Sequence, residues 1–132
     1  MKWVSKGKKK KYSIKRFGKS FYYATNGIIS AFKTEQNLLI HFIALFINIF
    51  LMIFLKLNTI EMCIIILACV FVISLEMVNT AIEYAIDMSM PQIHPLAKIS
   101  KDVASGAVLV GAIGALVLGI IIYLPKIIQL LG

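Results

Sequence analysis

Leu38–Leu55 reads LLIHFIALFINIFLMIFL, eighteen residues without a formal charge at neutral pH. Crossing the hydrocarbon of a bilayer takes about 20 apolar helical residues. Backbone in lipid must satisfy its own hydrogen bonds, which leaves helices or closed barrels. The run has no alternation of period two, so it predicts a membrane-spanning helix. Two further runs follow. Met62–Leu75, MCIIILACVFVISL, is short alone and becomes long enough once Glu76–Ile82 continue it as helix. Val103–Leu124, VASGAVLVGAIGALVLGIIIYL, is long enough by itself.

The rest of the composition agrees with three spans. The chain has 132 residues, 60% of them hydrophobic and 15% charged, with a mean hydropathy of +0.89. Soluble domains are about 45–50% apolar, and one of this size has too little interior for the excess. An ordinary globular enzyme and a disordered chain are both excluded. A net charge of +8 would suggest nucleic acid in a soluble protein. Here ten of the fourteen Lys and Arg residues lie between Lys2 and Lys33. That asymmetry points to an anionic membrane surface and not to nucleic acid. By the positive-inside rule the basic head MKWVSKGKKKKYSIKRFGK is cytoplasmic. Lys98 and Lys101 then fall inside and Lys56 outside.

Between head and first span, Ile14, Phe17, Phe21, Ile28 and Phe32 recur at helical spacing, with Lys15, Arg16, Lys19 and Lys33 off that stripe. This predicts an amphipathic helix lying in the membrane interface. The alternative is an extended basic tail that orders only on lipid. Cys63 and Cys69 lie on different faces of the second span and read as small hydrophobes. Ala107, Gly111, Ala115 and Gly119 form a small-residue stripe on the third span, which gives that helix a close packing partner.

The six acids are Glu35, Glu61, Glu76, Glu83, Asp87 and Asp102. In the topology above, all but Glu61 gather at the inner end of the membrane. Glu76, Asn79, Glu83 and Asp87 share a stripe about 80° wide on the second helix. Glu76 and Glu83 stand about 10 Å apart along it. An acid in a membrane helix is costly and needs a compensating cation or proton. Three roles fit: a hydrogen-bonding stripe between helices, a proton or ion relay, or a metal and catalytic site. A relay would place an acid near the midplane, where transporter sites sit. The strongly polar midplane residue is instead Asn48, which reads as a tie between helices. Carboxylates at the surface, beside Arg16, Lys98 and Lys101, suit a phosphate-rich ligand with magnesium. Glu35 could meet Glu83 on the inner rim, while the deeper Glu76 could take a proton from a lipid hydroxyl. GxxxxGK[ST] and strand-linked GxGxxG are both missing, so a nucleotide would be held by another solution.

Leu75–Asp87, LEMVNTAIEYAID, resembles the signature of the prokaryotic diacylglycerol kinase family: Glu, two residues, Asn-Ser/Thr-Ala, one residue, Glu, three residues, Asp. Ala31–Asn37, AFKTEQN, resembles the family's N-terminal acidic motif. His94–Val108, HPLAKISKDVASGAV, resembles its third motif. The likeness runs from about Phe17 to Leu124, and the His-Pro-Leu-Ala-Lys form is closer to the Gram-positive branch, which tends to phosphorylate undecaprenol. It implies an all-α integral membrane protein of the bacterial plasma membrane. It also implies a homotrimer with active sites shared between subunits.

The implied layout is a single membrane kinase domain over 1–132. It has a basic tail (1–12), an interfacial helix (13–34) and membrane helices at 35–56, 60–88 and 101–124. The implied reaction is ATP- and Mg2+-dependent phosphorylation of a lipid alcohol, undecaprenol first and diacylglycerol as the alternative. A small transporter or a scaffold is the alternative of another class. The resemblance implies Glu76 as general base and lipid contact, Glu35 and Glu83 as metal and nucleotide ligands, and Ser105 near the lipid. It implies Arg16, Tyr23, His94, Lys101 and Asp102 as nucleotide contacts, and Asn79 and Asp87 as residues that orient the site. Ile99 departs from the pattern, standing where some members carry Arg; Lys98 is the neighbour able to supply that charge.

Overall fold

The computed structural model describes residues 13–132, so the expected basic tail over 1–12 lies outside the described residues. Four helices follow in order: α1 (Ile14–Thr34), α2 (Gln36–Phe54), α3 (Thr59–Ser89) and α4 (Pro95–Leu131). The described residues contain no strand. α2, α3 and α4 are each long and apolar enough to cross a membrane.

The helix ends follow local chemistry. Only Glu35, in extended conformation, separates α1 from α2. Asn58 and Glu61 form a reciprocal capping box that starts α3, with bonds of 2.9 and 2.8 Å. His94 caps α4: its Nδ1 accepts from the Leu96 N–H at 3.2 Å, and Pro95 occupies the first turn. α4 therefore begins six residues before the expected 101 and ends seven beyond the expected 124. Hydropathy marks where a helix is apolar, whereas the cap marks where it begins. Pro125 sits inside α4 and withholds one backbone donor.

α3 is the central helix. It packs chiefly on α4 and also on α2, while α2 and α4 meet through side chains, the Tyr123 hydroxyl donating to Asn48 Oδ1 at 2.9 Å. The core is two small clusters. Ala31, Leu38 and Ile73 tie α1, α2 and α3 together. Met52, Leu57 and Ile65 close the opposite end, where Tyr123 of α4 joins them. Gly111 shows how closely α4 meets α3: a Cβ there would stand 2.7 Å from Leu75 Cδ1. Much of the apolar surface faces outward, including Phe46, Phe50, Leu67 and Val110. In water such a surface would drive association; in a bilayer it is matched by lipid. On α1, Phe17 and Phe21 are exposed and meet edge to face at 5.1 Å.

Candidate active site

Glu76 is the deepest acid of the carboxylate stripe. It is 5% exposed. Burying a carboxylate costs several kcal/mol unless a partner compensates it. That partner is on α2: His41 Nε2 stands 3.3 Å from Glu76 Oε1. One turn further along α3, Asn79 Nδ2 donates to Glu83 Oε1 at 3.1 Å. Asn37 and His41 of α2, Glu76 and Asn79 of α3, and Ser105 of α4 line one cleft of about 260 Å3. Three of the residues named from sequence, Glu76, Asn79 and Ser105, are thus brought together. Asn37 and His41 were not among the site residues expected from sequence.

The α3–α4 junction gathers a second group. Lys101 Nζ forms an ion pair with Asp87 Oδ1 at 2.5 Å, which ties the end of α3 to the start of α4. Lys98 Nζ donates to Asp102 Oδ2 at 2.6 Å, one turn along α4. His94 serves as the helix cap described above. A third group lies on α1, where Arg16 and Tyr23 line a basic cleft with Ser13, Lys15, Lys19 and Ser20. Glu35 is half-buried in the break between α1 and α2, and its carboxylate makes no capping bond.

Among the described residues, no three His, Cys, Asp or Glu side chains close around a metal position. Magnesium does not require such a cage, because one or two carboxylates plus substrate phosphates suffice. One structural detail fits a hard cation. Asn79 Oδ1 is buried without a hydrogen-bond partner, and its amide nitrogen is bonded to Glu83. An unpaired buried carbonyl oxygen is costly and is a suitable ligand for a divalent ion. The donor set therefore fits the group that the resemblance implies.

The family model for prokaryotic diacylglycerol kinase matches residues 22–123. The chain belongs to the prokaryotic diacylglycerol kinase family. It is a lipid kinase. The family match spans α2, α3 and all but the ends of α1 and α4, and so contains the Glu76 cleft. Arg16 precedes the matched segment, whereas Tyr23 lies within it. Among similar proteins, the undecaprenol kinase of Bacillus subtilis is 40% identical over 86% of this chain and 93% of its own length. A diacylglycerol kinase of Synechocystis is 39% identical over 85% of this chain, which spans 65% of that longer protein. A diacylglycerol kinase of Helicobacter pylori is 36% identical over 76% of this chain and 78% of its own length. As members of this kinase family do, the protein uses ATP. Its three apolar helices make it a membrane protein.

Proposed function

We propose that this lipid kinase transfers the γ-phosphoryl group of ATP to undecaprenol at the cytoplasmic face of the plasma membrane. The observation that carries the reading is Glu76, buried beside His41 in a cleft that α2, α3 and α4 share. A lipid hydroxyl placed there would give its proton to the Glu76 carboxylate as its oxygen attacks phosphorus. The bond from phosphorus to the bridging oxygen then breaks, leaving lipid phosphate and ADP. His41 holds the Glu76 carboxylate in place, and Ser105 lines the approach of the hydroxyl. Phosphoryl transfer asks little covalent chemistry of the protein and much positioning and charge. Glu35, Glu83 and the Asn79 carbonyl would hold Mg2+, which when bound supplies positive charge to the phosphate oxygens. Arg16, Tyr23, His94, Lys101 and Asp102 form the nucleotide side. Asp87 positions Lys101 through their ion pair.

The carboxylates and cations lie on three separate helical segments, which suits a homotrimer whose sites are completed across subunits. In the same reading α1 lies in the interface with its basic face toward anionic headgroups, and the N-terminus is cytoplasmic. Undecaprenol is placed first because the B. subtilis relative covers nearly its whole length. Diacylglycerol is the second reading, favoured by the names of the Synechocystis and H. pylori relatives. Purified protein with ATP, Mg2+ and each lipid separates them. Faster phosphate transfer to undecaprenol is expected; preference for diacylglycerol would exchange the two readings, and transfer to neither would overturn both.

A further inference from the structure

Among the described residues, the buried polar and charged ones are Glu76 and Thr80, each 5% exposed. Glu76 has His41 as its partner on α2. Thr80 lies one turn further along α3, and its hydroxyl turns back into its own helix. Its Oγ1 donates to the main-chain carbonyl of Glu76 at 3.0 Å. In a regular helix that carbonyl is also the acceptor for the Thr80 N–H. One oxygen thus takes two donors from one residue, and such back-bonding bends a helix locally and slightly destabilises it. A valine would fill the same buried space with no polar atom to satisfy, so stability does not account for the hydroxyl. Position does. Glu76 opens the turn that this bond closes, and Asn79 stands next to Thr80 at its end. Both line the cleft, with about 4.5 Å of helical rise between them. The tilt of this one turn therefore sets where the carboxylate stands relative to the Asn79 amide and to His41.

We infer that Thr80 is a positioning residue for phosphoryl transfer, a role that rests on the proposed one of Glu76 as base. Its bond to the Glu76 carbonyl fixes the turn that holds the carboxylate against His41 and at its distance from Asn79. Thr80 touches no substrate and acts through its neighbours. Ser74, on the same helix, makes the same kind of bond to the Val70 carbonyl at 2.8 Å. It is exposed and lies outside the cleft, which makes it the natural control.

The test removes the hydroxyl and keeps the shape. Thr80→Val deletes the donor, Thr80→Ser retains it, and Ser74→Ala deletes a back-bond away from the cleft. With ATP, Mg2+ and the lipid alcohol, Thr80→Val should lower kcat about tenfold, a part of the roughly 100-fold that a 1 Å misplacement can cost. KM for ATP and for the lipid should stay at the wild-type values. Thr80→Ser and Ser74→Ala should keep the wild-type kcat. A second readout needs no turnover, because the chain has only two histidines. In protein labelled with 15N-histidine in detergent micelles, the His41 ring resonances should move in Thr80→Val and hold in Thr80→Ser and Ser74→Ala. Those of His94 should stay in place in all three. An equal loss of kcat in Thr80→Ser would assign the position to packing of the methyl group. An equal loss in Ser74→Ala would assign it to the bend of the helix as a whole. Either result overturns the inference, as does an unmoved His41 resonance in Thr80→Val. If Thr80→Val does not fold, Thr80→Ala carries the same comparison. If the wild-type protein phosphorylates no lipid alcohol while His41 still responds to Thr80→Val, the reading of Glu76 as base fails and the hold of Thr80 on Glu76 stands.

Discussion

The pair that governs the candidate chemistry is Glu76 and His41. A buried carboxylate with one close partner is held in one orientation, and a base must be held to be effective. Glu76→Gln keeps the shape and removes the proton acceptor. Turnover should fall by about 10² to 10⁴-fold with the thermal unfolding midpoint unchanged; retained activity would refute the base. His41→Ala should lower kcat about 10- to 100-fold by loosening that carboxylate, with KM for ATP unchanged. Steady-state kinetics varying ATP at saturating lipid reads both, and a change confined to KM for ATP would place His41 with the nucleotide. Glu76 and Asn79 were legible in the sequence because acids and amides are rare enough in an apolar chain to be placed singly. The partnership with His41 was not, because sequence gives the face of a helix and not what faces it. A signal was present: a buried acid in lipid needs a partner, and His41 is the one titratable side chain within the apolar run of α2.

α3 and α4 are the pair of helices on which the cleft depends, since Glu76 and Asn79 come from one and Ser105 from the other. Gly111 sets their separation. Gly111→Leu would drive a branched side chain into Leu75, and overpacking of this kind costs about 1–3 kcal/mol. Thermal denaturation in detergent should show a lower midpoint, by several degrees, while Gly114→Ala, with open space at its Cβ, should not. Equal behaviour of the two variants would show that Gly111 sets no spacing. The small-residue stripe revealed that α4 needs a close partner, but could not say which helix supplies it. The start of α4 was written in the sequence as His94-Pro95, a cap followed by a first-turn proline. Charges at Lys98, Lys101 and Asp102 hid it from a reading by hydropathy. Those same charges, placed on a rigid helix, now fix the Asp87–Lys101 tie between α3 and α4.

For the molecule as a whole, the three apolar runs were sufficient to predict an all-helical membrane protein, because lipid permits so few backbone solutions. Asn48 was legible as a tie between helices, but its partner was not: the Tyr123 hydroxyl of α4 donates to its Oδ1 at 2.9 Å. One further dimension matters. α3 has 31 residues, about 46 Å of helix, against about 30 Å of hydrocarbon. Its N-terminal end, remote from Glu76, is fixed by the Asn58–Glu61 cap and by the 3.2 Å ion pair of Lys126 Nζ with Glu61 Oε2. Membrane thickness then becomes a control on the reaction. In vesicles of longer-chain phospholipid, Glu76 is drawn deeper below the headgroups and away from water-borne ATP. In thin ones it rises, and the acceptor alcohol must follow it. Transfer rates measured across a series of phosphatidylcholine chain lengths should therefore pass through a maximum, and a flat profile would show that the helix adjusts its tilt without moving the site. A site built between apolar helices would thus take its working geometry partly from the lipid that surrounds it.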